Sequence, residues 1–123
     1  MPGFIKNVQF ASHGIRVFFK TEKNGKIQGI IAVLVIISGI FLKISRTEWL
    51  FILGFIAMII SLEMLNSAIE KICNMISAEY HPQIKIIKDI SAAAVLFAAV
   101  IAAVAGLIIF IPYLLPLING RTI

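Results

Sequence analysis

The sequence predicts an all-α membrane protein, with three transmembrane helices preceded by an amphipathic helix in the membrane interface. Three observations carry that prediction. Of 123 residues, 60% are hydrophobic and 14% charged, with a mean hydropathy of +1.02, whereas soluble domains run at about 45–50% apolar and about 25% charged. The charges fall in blocks, separated by long uncharged runs. The length fits one domain spanning residues 1–123, and a soluble fold of that size could not hide so much apolar surface. A glycine period is absent, and a lone cysteine, Cys73, makes no internal bridge, which excludes collagen and a disulfide scaffold.

The first 26 residues are mixed. Phe4, Val8, Ala11, Ile15 and Phe18 recur at helical spacing, interleaved with Lys6, Arg16, Lys20, Lys23 and Lys26. That is the pattern of a helix lying in the membrane surface, not of a cleavable signal peptide, which opens with a short basic region and then an apolar core. Ile27 to Leu42 carries no charge and forms the first span, at about 27–42, with Lys26 and Lys43 snorkelling at its ends. Trp49 to Leu62 is also uncharged, and its apolar pattern continues past Glu63 to Ile69, giving a second span at about 49–70. Ile90 to Gly120 is a long uncharged run with Pro112 and Pro116 near its end. It exceeds the roughly 20 residues a crossing helix needs and places the third span at about 90–111.

Topology follows from the cations. The N-terminal segment holds five, and the connection from Lys71 to Asp89 holds Lys71, Lys85 and Lys88. The other side has Lys43, Arg46 and Arg121. Positive residues favour the cytoplasm, so the N-terminus is expected inside and the C-terminus outside. The net charge of +5 therefore flanks the spans, where anionic headgroups are the expected partner. No compact reading helix points to nucleic acid.

The six acids can be taken one at a time. Glu48, beside Trp49 at the outer interface, reads as a solvated loop residue. Glu22, Glu70, Glu79 and Asp89 fall on the cytoplasmic side. Glu63 lies seven residues, about 10 Å along a helix, deeper than Glu70. A carboxylate inside a span costs about 2.5–3.5 kcal/mol on insertion scales and faces a partner or a cavity. Glu63, Asn66 and Glu70 fall at i, i+3 and i+7 and share a helix face, which Asn74 continues.

That stripe admits two readings. It is either a polar clasp between helices or a site. As a site, Glu22 and Glu70 would share a hard cation, since magnesium is held by one or two carboxylates plus substrate phosphates. Lys88 and Asp89 would offer a cation and a polar partner to a phosphate, with Glu63 at the depth of a lipid hydroxyl. The layout suits phosphoryl transfer at the interface. No GxxxxGK[ST] loop exists, since Asn24-Gly25-Lys26 lacks the first glycine and the following hydroxyl, and protein-kinase loops are missing. His13 and His81 are isolated and support no zinc site.

The run Glu63-Met64-Leu65-Asn66-Ser67-Ala68-Ile69-Glu70 resembles the E-x-L-N-[ST]-A-I-E core of the bacterial integral-membrane diacylglycerol kinase and undecaprenol kinase family. Glu79-Tyr80-His81-Pro82, Lys88-Asp89-Ile90-Ser91-Ala92-Ala93-Ala94-Val95-Leu96 and Thr21-Glu22-Lys23-Asn24 resemble its other blocks, in order, over about residues 4–111. The resemblance implies a small three-span enzyme of the bacterial inner membrane, a homotrimer with active sites shared between subunits. Such an enzyme moves the γ-phosphate of Mg-ATP to a membrane lipid alcohol. It implies Glu63 as general base with Asn66 alongside and Glu22 and Glu70 on Mg²⁺. It further implies Glu79, Tyr80, His81, Lys88 and Asp89 at the nucleotide, together with the two metal-binding glutamates, and Arg16 at the substrate entrance.

Two positions depart from the family pattern. Residue 74 is Asn where members commonly carry Asp, which removes a charge near the metal and changes the support of Lys88. Residue 28 is Gln where relatives tend to have His or Glu. The blocks at 79–82 and 85–89 look closer to the undecaprenol branch than to the diacylglycerol branch. Two rivals stand beside the kinase: a non-enzymatic small membrane subunit or scaffold, for which the stripe only joins helices, and an ion or proton carrier using Glu63.

Overall fold

A computed structural model describes residues 3–120; Arg121, counted in the charge balance, lies outside them. Among the described residues the chain is helical without strands, in the order α1 (Phe4–Thr21), α2 (Lys23–Leu42), α3 (Arg46–Ile76) and α4 (Pro82–Ile118). The latter three are long and apolar enough to cross a membrane. The chain is a membrane protein of three potential spans with one amphipathic helix before them.

One extended residue separates α1 from α2. Glu22 (φ −94°, ψ 122°) ends the first helix, donating its N–H to Phe18 O at 2.9 Å, and starts the second, accepting from Lys26 N at 3.1 Å. Phe18, the buried residue of α1, closes the elbow by laying its ring on Gly25 of α2. A Cβ at Gly25 would sit 2.7 Å from that ring, so only glycine admits the approach. Phe19 packs edge-on against Phe18 at 5.1 Å.

The α2–α3 turn is equally tight. Lys43 takes the left-handed conformation (φ 54°, ψ 52°), an uncommon choice for a residue with a Cβ. Ser45 then caps α3 in a capping box: Glu48 N–H donates to Ser45 Oγ at 3.2 Å, and Ser45 N–H donates to Glu48 Oε1 at 2.9 Å. Glu48 is therefore not the solvated loop residue expected from the sequence. It sits in the first helical turn, where the exposed N–H groups and the helix dipole favour a carboxylate, and it also accepts from Tyr113 OH of α4. Trp49 lies on Gly39, and Ile44, Ile52 and Ile109 form the buried core of this end.

The helices run past the expected spans. α3 has 31 residues and α4 has 37, about 46 and 56 Å at 1.5 Å per residue, against a hydrocarbon core of about 30 Å. α4 continues through Pro112 and Pro116, because the backbone groups a proline frees within a span can be satisfied locally by neighbouring groups. It starts cleanly at His81, whose Nδ1 accepts from Gln83 N–H at 3.2 Å, with Pro82 in the first helical position, where its missing N–H costs nothing. Ser91, Val95 and Ala98 are its buried face. These side chains lie where α4 packs along α3, the most extensive helix–helix contact among the described residues, small residues being common at such contacts in membrane bundles.

Candidate functional site

α3 is the spine of the site. Its stripe begins deep, with Glu63 and Asn66 buried at 5% and 6% exposure, and ends exposed, with Glu70 and Asn74. Glu63 Oε2 and Asn66 Oδ1 are enclosed by protein yet have no hydrogen-bond partner. Buried polar atoms are nearly always paired, because an orphan keeps its full desolvation cost. Two orphaned acceptors one helical turn apart could accept from an incoming donor. From α2, the Gln28 side chain lines the cavity that α2 shares with α3 and α4.

The elbow puts Glu22 against α3. Its carboxylate, half-buried, accepts from Lys71 Nζ, next in sequence to Glu70. Glu22 and Glu70 thus stand on adjoining surfaces at the exposed mouth of the stripe. Among the described residues, no three His, Cys, Asp or Glu side chains cluster closely enough to cage a metal unaided. Two carboxylates at a mouth open to phosphate do match the oxygen-donor habit of magnesium, which completes its shell with water and substrate.

Lys88 stands beside the stripe. It donates to Asn74 Oδ1 at 2.6 Å, while Asp89 pairs instead with Lys85 one turn earlier, at 2.6 Å. The acceptor on Lys88 is neutral, so its ammonium keeps its full charge toward an anion. The other expected residues are less tightly gathered. Glu79 and Tyr80 project from the exposed α3–α4 connection, where the Glu79 backbone carbonyl accepts from Ser77 Oγ at 3.1 Å. His81 spends its Nδ1 on capping α4, and Arg16 is exposed on α1.

Two contributors escaped the sequence reading. Lys71 reads as one more cytoplasmic cation, and nothing in its linear neighbourhood announces that Glu22 is its partner. Gln28 carried a signal, as the one amide in the uncharged run from Ile27 to Leu42. Its meaning appears only once α2 lies against α3.

Along most of its length the chain is similar to known proteins. The family model for prokaryotic diacylglycerol kinase matches residues 9–110. The chain is 39% identical over 111 residues to an undecaprenol kinase of Bacillus subtilis (strain 168), covering 90% of both chains. It is 30% identical over 117 residues to a diacylglycerol kinase of Synechocystis, covering 94% of this chain and 67% of that one. A diacylglycerol kinase of Escherichia coli (strain K12) is 27% identical over 100 residues, covering 81% and 82%.

Proposed function

The chain belongs to the prokaryotic diacylglycerol kinase family and is a membrane lipid kinase; from that premise we propose that it phosphorylates the hydroxyl of undecaprenol with ATP, diacylglycerol being the alternative acceptor. The observation that carries the proposal is Glu63, a carboxyl at 5% exposure with an orphaned oxygen inside a potential membrane span. The 39% identity to an undecaprenol kinase, against 27–30% to diacylglycerol kinases, supports the choice of alcohol.

The chemistry is a direct displacement. Glu63 accepts the proton of the lipid hydroxyl as general base. The hydroxyl oxygen forms a bond to the γ-phosphorus, and the bond from that phosphorus to the bridging oxygen breaks. ADP leaves with the electron pair. The proton on Glu63 then returns to water, restoring the carboxylate. Asn66, one turn away, helps hold the hydroxyl in line. Lys88, fixed by Asn74, takes charge from the phosphates, as phosphoryl transfer depends mainly on alignment and neutralisation.

Glu22 and Glu70 would hold Mg²⁺, which when bound supplies further neutralisation of the phosphate oxygens. Glu79, Tyr80, His81 and Asp89 flank the nucleotide, and Arg16 stands at the entrance. A homotrimer with shared sites fits the exposure of Glu70 and Asn74 and of most apolar side chains on the spans. The cation distribution supports a site on the cytoplasmic face of the bacterial inner membrane, with the N-terminus inside.

Purified protein in detergent, given γ-labelled ATP, Mg²⁺ and each alcohol separately, tests the proposal. Faster transfer to undecaprenol is expected. A preference for diacylglycerol would reassign the substrate, and transfer to neither would favour the subunit or scaffold reading.

A further inference from the structure

An ion pair joins the elbow to α3, with Lys71 Nζ donating to Glu22 Oε1. Its two members are held very differently. Glu22 is fixed by its backbone, which donates to Phe18 O and accepts from Lys26 N–H, and by the packing of Phe18 on Gly25. The carboxylate is therefore placed whether or not Lys71 meets it. Lys71 is the loose member. Its side chain is 60% exposed, against 24% for Glu22, and its flexible four-carbon stem lets the ammonium turn. An exposed pair of this kind adds little stability, so Lys71 parts from Glu22 with little loss.

Glu22 is also one of the two carboxylates at the mouth that fit a magnesium ion, and Lys71 directly follows the other, Glu70. An ammonium and a divalent cation on one carboxylate repel each other. Lys71 and Asn74 stand three residues apart on α3, a spacing that puts Cβ atoms about 5–6 Å from each other on the helix surface. Asn74 Oδ1 in turn holds Lys88 Nζ at 2.6 Å. A lysine released by Glu22 thus stands beside the ammonium assigned to the phosphates. We infer that Lys71 and the divalent metal take Glu22 in turn, and that the released ammonium becomes a second cation on the phosphates of the nucleotide. This rests on the reading of Glu22 and Glu70 as metal ligands and deepens it. A lysine binds phosphate as a mobile point charge, which suits a group that changes partners. The consequence is coupling: Lys71 weakens the binding of metal alone and strengthens the binding of nucleotide once metal is present. Coupling of that kind is reciprocal between the two ligands.

Binding to the full-length protein in detergent micelles tests this without turnover. Mn²⁺ shares the octahedral, oxygen-ligand habit of Mg²⁺ and is followed by paramagnetic resonance, alone and with an ATP analogue that cannot transfer its γ-phosphate. For Lys71→Met, Mn²⁺ alone should bind about fivefold tighter, and the analogue about fivefold weaker at saturating Mn²⁺, the scale of one exposed charge pair. Lys71→Gln should do the same, which separates the lost charge from any effect of a new apolar side chain. Lys71→Arg keeps the charge and should bind both ligands as the unaltered protein does. Both changes should shrink as salt rises, because exposed charges are screened. If Lys71 serves instead to place Glu22, Lys71→Met binds Mn²⁺ more weakly; that result, or unchanged Mn²⁺ binding, overturns the inference. So does an unchanged affinity for the analogue. Mn²⁺ binding that is the same in Glu22→Gln and Glu70→Gln as in the unaltered protein would overturn the metal reading itself.

Discussion

At the end of the bundle that carries the α2–α3 turn, polar groups find partners and apolar ones find each other. Ser45 and Glu48 cap each other, Tyr113 reaches across from α4, and Trp49 closes on Gly39 above the Ile44–Ile52–Ile109 core. At the opposite end the pattern reverses. Glu63 Oε2 and Asn66 Oδ1 are enclosed and unpaired, and charged side chains gather around an open mouth. Leaving a buried acceptor unsatisfied costs about 1–3 kcal/mol. A bundle can carry two of them when its other end is well packed.

Breaking the polar end has the largest expected effect. Glu63→Gln keeps the shape and removes the base, so phosphate transfer falls by about 10²–10⁴-fold while assembly and helical content persist. Near-normal turnover in a labelled-ATP assay would erase the contrast between the two ends. Gly39→Val attacks the packed end instead. Its Cβ would meet the Trp49 ring at 2.9 Å and Ile44 Cδ1 at 3.1 Å, and overpacking of that kind costs about 1–3 kcal/mol. Thermal unfolding in detergent should shift down, with turnover per folded molecule unchanged.

Two milder changes sharpen the comparison. Glu70→Gln removes one of the two carboxylates at the mouth, and the Mg²⁺ concentration for half-maximal activity should rise about tenfold, with little change in unfolding temperature. Tyr113→Phe deletes one hydrogen bond to Glu48 and should lower the unfolding temperature slightly, with no effect on transfer. A kinetic defect in Tyr113→Phe would show that the two ends are coupled.

The division between the ends was partly legible in the sequence. Uncharged runs announce spans because a bilayer tolerates few charges, and a face holding Glu63, Asn66, Glu70 and Asn74 follows from helical periodicity alone. The support of Lys88 by Asn74 was foreseen only through the family resemblance, since the two residues sit on different helices. Glu48 was misread although Ser45-x-x-Glu48 is a capping-box signature, because its place beside Trp49 suggested a loop. The pairing of Lys71 with Glu22 was not legible. It joins positions 49 residues apart, and only the rotation of one helix against another brings them together.

The elbow at Glu22 carries a consequence for chain length. Helices on either side of a single non-helical residue are in fixed phase, and one residue added there and taken up as helix by α1 would turn the rest of that helix by about 100° about its axis, given 3.6 residues per turn. The face of α1 that carries Phe18 would leave Gly25, and the carboxylate that meets Lys71 would swing away with it. Most connections in a protein accept insertions and deletions readily. This one does not: here the count of residues is itself part of the site, and a chain with one residue more between Thr21 and Lys23 would keep every side chain yet lose the geometry.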